Sequence, residues 1–383
     1  MTDTGKPVAE IKEKKIHEPL LVMSKRGAVS IIWSIAIRAI AIVAALLFCG
    51  VVTVVLTDTN PIDVYVNIFK GAFGNDIRIW ATLQEIAMLL CVALAVTPAF
   101  KMRFWNTGAE GQVLIGCLTT AICMMHLGGR VPDGVLIIIM VIASVLSGVI
   151  WGVIPAIFKA KWGTNETLFT LMMNYVAVQL VSFFITKWEK PKGSGTVGII
   201  NQASKDGWLP TLGSNSFLGR NYLLNIIVIL AITVLIYVYL KYSKQGYEIS
   251  VVGESENTAR YIGINVQKVV IRTMAISGLI CGLVGMLLIA GGNNHTINTD
   301  IVDNRGFTAI MVSWLAKFNP FSMIITSFLL VFLDKGAGQI STDFGLNPAF
   351  SEILTGIILF FIIGCEFLIS YKINVRAKKE GKK

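Results

Sequence analysis

Apolar residues in this chain fall in blocks rather than alternating, and the blocks set the first structural expectation. They lie near residues 29–57, 80–100, 110–128, 134–158, 166–186, 222–240, 270–291, 306–316, 321–340 and 350–371. Most approach or exceed the roughly 20 residues that cross about 30 Å of hydrocarbon as a helix. The pattern predicts an all-α, polytopic membrane protein with about ten transmembrane helices. The eighth block, GFTAIMVSWLA, is too short to cross alone, and the region around FWNTGAEGQ that leads into the third is broken by Pro98, Gly108 and Gly111. Irregular backbone at membrane depth survives only where protein or a water-filled cavity satisfies its polar groups. Equal numbers of blocks flank the polar segment 187–221, an odd number in each half, so the second half runs inverted. The interruptions then fall at corresponding positions. Two inverted halves with broken or re-entrant segments at matching places are a pattern of transporters, whose substrate path lies at the repeat interface.

Composition sharpens this picture. The chain is 54% hydrophobic and 15% charged, whereas a soluble domain carries about 25% charged residues. Residues 1–28 are polar, lack a cleavable signal pattern, and are expected to form a tail. The net charge of +10 raises the question of nucleic acid. However, about two-thirds of the 33 Lys and Arg fall on the 1–28 tail, on alternate loops including 241–272, and on the basic tail 372–383. By the positive-inside rule both termini are then cytoplasmic, residues 29–371 are the transmembrane domain and 187–221 is extracellular. The lipid bilayer accounts for the basic balance, and no nucleic-acid partner is expected.

Chemistry within the chain is sparse. The six cysteines all lie in apolar blocks without a C-x-x-C pair, and His17, His126 and His295 are scattered, so no metal site is expected. There is no G-x-x-x-x-G-K-[ST] phosphate cradle and no supported nucleophile set, so the chain reads as a non-enzyme without its own cofactor. Gly278 and Gly282 form a G-x-x-x-G, with Gly285 following, which lets helix backbones approach closely. Glu110 has three readings: a cap on the N–H groups at the start of the third span, an ion pair with Lys101 or Arg103, or a proton-coupling residue. The cap is favoured, because Gly108 supplies a turn just before it. In the segment 241–272, Ser255 is a candidate N-cap for a short helix over 256–262, with Gly263 as its stop. Such a helix is either a contact for a soluble partner or an ordinary solvated loop. An ion-coupled secondary transporter would draw its ion sites from Glu85, Glu110, Asp334, Glu352 and Glu366, most of which sit near span ends.

The stretches FWNTGAEGQVLIG, TLFTLMMNYVA, ARYIGINVQKVVIRTMAISGLICGLVGM and GFTAIMVSWLAKFNP resemble signature segments of bacterial ABC-importer permeases in the ribose and branched-chain amino acid permease superfamily. The resemblance runs from about Ile31 to Tyr371. It is strongest to the branch serving nucleoside uptake, whose pattern is F-N-I-G-A-E-G-Q. This sequence has Trp105 inserted before Asn106 and Thr107 in place of the isoleucine.

The resemblance implies a multi-pass permease of the bacterial plasma membrane, paired with a second related permease chain, usually as a heterodimer. It further implies cytoplasmic ATPase subunits that hold the ATP and Mg, and an extracellular substrate-binding lipoprotein docking on 187–221. The stretch Ala259, Gly263, Ile264 and Asn265, flanked by Glu254, Ser255 and Arg260, is similar to the coupling helix that engages the ATPase. A nucleoside path favours amides and aromatic faces over fixed charge, so its candidates are Asn106, Glu110, Gln112 and Asn174 with Phe104, Trp105 and Trp314. For each amide the alternative is an interhelical hydrogen bond worth about 0.6 kcal/mol. Ribose-like sugars are the alternative substrates.

Overall fold

A computed structural model of the chain describes residues 21–26, 30–57, 60–211, 222–292, 294–347 and 349–375. In chain order the elements are β1 (Leu21–Lys25), α1 (Ile31–Thr57), α2 (Pro61–Phe73), α3 (Asp76–Lys101), α4 (Ala109–Leu127), α5 (Asp133–Trp162) and α6 (Glu166–Trp188). There follow α7 (Leu223–Tyr242), α8 (Lys244–Glu254), α9 (Glu256–Tyr261), α10 (Val266–Ala290), α11 (Arg305–Leu315), α12 (Pro320–Asp343), α13 (Ala349–Ser370) and β2 (Tyr371–Val375). Among the described residues, 9 helices are long and apolar enough to cross a membrane, and they coincide with the apolar blocks. The remaining block is α11, which at 11 residues reaches only about 16 Å.

Polar residues in the sequence punctuate these helices. The side chains of Asn60, Asn75, Asn165, Ser243, Ser255, Asn265 and Asn319 each accept a backbone N–H in the first turn of the helix they precede. A cap of this kind satisfies one of the four orphan donors at a helix start. The residues preceding α4, α5, α7 and α11, Gly108, Pro132, Tyr222 and Asn304, supply no such bond. Of these helices, α4 and α11 follow the breaks.

The chain divides into two compact units, residues 1–52 with 356–383, and residues 53–355. In the first, β1 pairs antiparallel with β2, Leu21 opposite Val375 and Lys25 opposite Tyr371. Arg38 on α1 forms an ion pair with Glu366 on α13 at 2.8 Å, and Phe48 meets Phe361 at 5.8 Å between ring centroids. Residues 21–25 and 372–375, expected to lie in tails, thus contribute to strands; residues 1–20 and 376–383 lie outside the described residues. The strand pair brings the start of α1 and the end of α13 to one side.

In the second unit α3 packs on α11 and α12, α10 packs on α4 and α5, and α3 and α10 pack on each other. This reciprocity is what two related halves produce when each central helix is embraced by the break and following helix of the other. The contact of α5 with α10 depends on missing side chains. A Cβ on Gly282 would lie 2.1 Å from the Ser144 carbonyl oxygen, and one on Gly278 would lie 2.3 Å from that of Gly148. The G-x-x-x-G therefore serves backbone approach.

Two expectations need correction, and one helix falls outside the apolar blocks. Pro98 does not break α3 but sits in its last turn, and the irregular backbone is the segment 102–108 that follows. The segment 241–272 holds two helices, α8 and α9, together with the start of α10, where only one short helix is expected from the sequence. The stretch between α1 and α3 holds α2, whose apolar residues lie on one face and form no block. Of the outer segment 187–221, residues 212–221 lie outside the described residues.

Candidate translocation site

The uncapped starts of α4 and α11 meet. Glu110, in the first turn of α4, accepts the N–H of Gly306 at 2.7 Å and of Asn304 at 3.1 Å through its two carboxylate oxygens. Glu110 is a cap, but of α11 and not of its own helix. The N–H of Gly111 in α4 donates instead to the Asn174 side chain of α6 at 2.9 Å. Each broken helix thus borrows its cap from elsewhere, because Gly108 has no side chain to offer and Asn304 adopts a left-handed φ of 54°. Gly306 is required at this junction, since a Cβ there would lie 2.6 Å from the Glu110 backbone nitrogen. The carboxylate also complements the positive N-terminal end of α11.

An ion-pair cluster stands beside the junction. Arg305 bonds Glu85 of α3 and donates to the carbonyls of Ile301 and Val302 at 3.0 Å each. Lys335 of α12 approaches Glu85 at 3.6 Å. Glu85 lies nine residues into α3, about 14 Å along it. Glu85 thus lies within a helix long and apolar enough to cross a membrane, where a carboxylate needs partners of this kind.

The re-entrant segment 102–108 is fastened by amides. Asn106, fully buried, donates from Nδ2 to Ser277 Oγ of α10 at 3.1 Å, and its Oδ1 accepts Gly108 N–H at 3.1 Å and Gln112 Nε2 at 3.3 Å. Asn174 donates to the Thr107 carbonyl at 2.8 Å, and the Thr107 and Thr170 hydroxyls lie 3.0 Å apart. Gln112 is buried and its Oε1 has no partner among the described residues. Phe104 is buried as well. Asn106, Gln112 and Phe104 therefore sit inside the packing between helices, and line neither of the two cavities at the breaks.

Those cavities flank the junction. One, of about 460 Å³, is lined by Glu110, Asn174, Tyr175, Asp300, Asp303 and Phe307, among others. The other, of about 420 Å³, lies at the opposite ends of α3 and α11 between Phe100, Trp105, Trp314 and Phe318. Trp105 and Trp314 stack there at 5.5 Å with 29° between planes, each roughly half exposed. Phe100 and Phe318 extend this aromatic wall, and neither stands out in the sequence, since Phe100 ends an apolar run like many others and Phe318 is a lone ring between Lys317 and Asn319.

The coupling-type residues lie together on α8, α9 and the turn that follows. Ser255 Oγ accepts Thr258 N–H at 3.2 Å, Ala259 is buried, and Gly263 has φ +85°. Asn265 caps α10 through Lys268 N–H at 3.0 Å. Glu254, Arg260 and Gly263 are exposed, and Ile264 is half-buried. Tyr261 protrudes furthest, at 92% exposure. Sequence reading passes over this residue, although an aromatic ring in a polar six-residue helix is a signal.

Long apolar helices, paired halves, and two broken helices meeting start to start define a multi-pass membrane transport protein. Residues 78–363 match the family model described as branched-chain amino acid transport system / permease component, and the chain belongs to this family. It is a permease component, a subunit whose family role is passage across the membrane rather than catalysis. Among curated relatives it is 27% identical to the nucleoside ABC transporter permease protein NupB of Lactococcus lactis subsp. cremoris, over 90% of this chain and 96% of that one. It is 27% identical to the guanosine ABC transporter permease protein NupP of Bacillus subtilis, over 88% of this chain and 94% of that one. It is 26% identical to the glucose ABC transporter permease protein TsgB13 of Haloferax volcanii, over 88% and 90%.

Proposed function

We propose that the chain is the permease subunit of an ATP-driven importer that carries nucleosides across a bacterial plasma membrane, with both termini cytoplasmic. ATP and Mg are bound by partner ATPase subunits and not by this chain. A second related permease chain completes the path, and an extracellular lipoprotein delivers the solute. The observation that carries the ATP-driven reading is the construction of 241–272. A buried Ala259 anchors α9, Gly263 turns the chain, and Arg260 and Tyr261 are left projecting. The Arg272–Glu248 pair at 2.9 Å ties α8 to α10, so a push on this segment reaches the membrane core.

The nucleoside reading is supported by two of the relatives' names and by the aromatic wall of Trp105 and Trp314. The path runs past Glu110 and Asn174 on one side of the junction and these rings on the other. Asn106 and Gln112 hold the re-entrant segment in shape. A second reading, a sugar permease, is favoured by the glucose-named relative. Ion coupling fits less well, since Glu85, Glu110 and Glu366 are each engaged by a cation or by backbone N–H groups.

The reconstituted complex provides the test. Uptake of labelled guanosine should require ATP and the ATPase partner, withstand a protonophore, and exceed uptake of glucose and ribose. Uptake that persists without the ATPase partner sinks the proposal. Arg260→Glu breaks only an exposed pair with Glu256 at 3.4 Å, worth about 0.5 kcal/mol. It should leave a folded permease in which substrate no longer stimulates ATP hydrolysis; unchanged stimulation would mean that α9 is not the coupling element.

A further inference from the structure

The aromatic-walled cavity has a rim that transport of a neutral solute leaves unused. Lys101 and Arg103, from the end of α3 and the turn after it, and Glu254, the last residue of α8, all line it. None of the three has an ion pair or side-chain hydrogen bond among the described residues, although both signs of charge border the same space. The rim is held in place by backbone. Arg103 is fixed in a left-handed turn with φ 61°, and a Cβ on Gly253 would lie 2.1 Å from the Lys101 carbonyl oxygen. Unpaired cations over an aromatic wall suit a ligand with a flat face and an anionic tail.

We propose that this cavity binds a nucleoside 5′-monophosphate from the cytoplasmic side and thereby slows import. The base lies on the faces of Trp105 and Trp314, since every base has a π-face that stacks on an aromatic ring. Arg103 offers its planar fork to the phosphate and Lys101 a point charge. Glu254 accepts from a base N–H or a ribose hydroxyl. The rim carries two cations and one anion, which selects the phosphorylated compound over the free nucleoside. The cavity, at about 420 Å³, falls within the usual range of ligand sites. Because Ser250, Gly253 and Glu254 of α8 border it, a bound ligand restrains the helix that leads directly into α9. The inference rests on the proposed orientation, with 241–272 facing the cytoplasm, and does not depend on which solute is carried.

The test uses the assembled complex in nanodiscs, with the ATPase sites filled by a non-hydrolysable ATP analogue. GMP, guanosine, ribose 5-phosphate and inorganic phosphate are titrated by calorimetry. GMP should bind saturably, and guanosine and ribose 5-phosphate each roughly tenfold more weakly. Arg103→Ala and Phe318→Ala should each weaken GMP by roughly tenfold, while the melting temperature, measured alongside, stays near that of the parent. GMP should also reduce uptake when supplied on the cytoplasmic side. Absence of saturable GMP binding, or binding unchanged in both variants, overturns the proposal. Inorganic phosphate binding as tightly as GMP would reduce the site to an anion patch and overturn it too, and so would guanosine matching GMP with Arg103→Ala silent. Binding is read without transport, so a complex found to carry sugars would fail the proposed function and leave this result standing.

Discussion

Glu110 holds two helices with one carboxylate, one oxygen for each of two N–H groups at the start of α11. Removing a cap costs about 0.5–2 kcal/mol, and leaving buried donors unpaired moves the cost to the upper end. Glu110→Ala should therefore lower the melting temperature of the purified permease clearly, and Glu110→Gln, which keeps one accepting oxygen, should lower it less. Equal melting of both variants and the parent would show the junction to be held by other contacts. His295 offers a pH-dependent counterpart in the segment between α10 and α11. Its ring stacks on Trp208 at 3.6 Å, one ring nitrogen bonds the Ile289 carbonyl at 2.9 Å, and burial pushes its pKa below the ordinary value. The folded state then resists protonation that the unfolded state accepts. The contribution is full above the ordinary histidine pKa of about 6.5 and is lost as pH falls below it. Melting curves from pH 8 to 5 should fall on the acid side, and His295→Gln should flatten that fall; an identical pH profile in the variant would remove His295 as its source.

Among elements, those that declare themselves in sequence do so through uninterrupted apolarity or a local cap. Ser255 and Gly263 bracket α9 much as their chemistry predicts, because both act within a few residues. Elements that hide depend on distant partners. The apolar residues of α2 cover only one face, and β1 finds β2 nearly the whole chain away. The site divides in the same way. FWNTGAEGQ marks a break with a glutamate that caps, yet which helix it caps is decided by Gly306, 196 residues on. The amides are visible as odd polar residues, while the mutual bonding of Asn106, Gln112 and Ser277 arises only when α4 meets α10. Close approach of α5 and α10 can be tested at Gly282. Alanine there must displace the Ser144 backbone, and overpacking of this kind costs about 1–3 kcal/mol. Gly282→Ala should lower the melting temperature, whereas Gly338→Ala, where nothing lies within 4 Å of the added Cβ, should not. Similar losses at both positions would deny that the α5–α10 contact depends on backbone approach.

For the whole molecule, the decisive question is whether α11 completes a crossing. Its 11 residues are too few for a bilayer, but it begins beside Glu85, already deep along α3, and descends to pair Ser313 with Thr97 at 2.9 Å. The turn that leads into it is held by Glu110, which accepts Asn304 N–H, and by Arg305, which donates to the Ile301 carbonyl. If α11 counts as a span, the nine long helices among the described residues become ten crossings, the number expected from the apolar blocks. The six native cysteines are buried, so a membrane-impermeant thiol reagent should leave the parent protein unlabelled in intact cells. Lys205→Cys and Asn298→Cys should label from outside, because both positions are exposed on the extracellular side of this arrangement. Lys244→Cys and Lys317→Cys, equally exposed but beyond α7 and α11, should label only after the cells are opened. Labelling of Lys317→Cys in intact cells would make α11 a re-entrant hairpin that returns to its own side. The halves would then no longer match, and the proposed path past Glu110 to the aromatic wall would lack its exit.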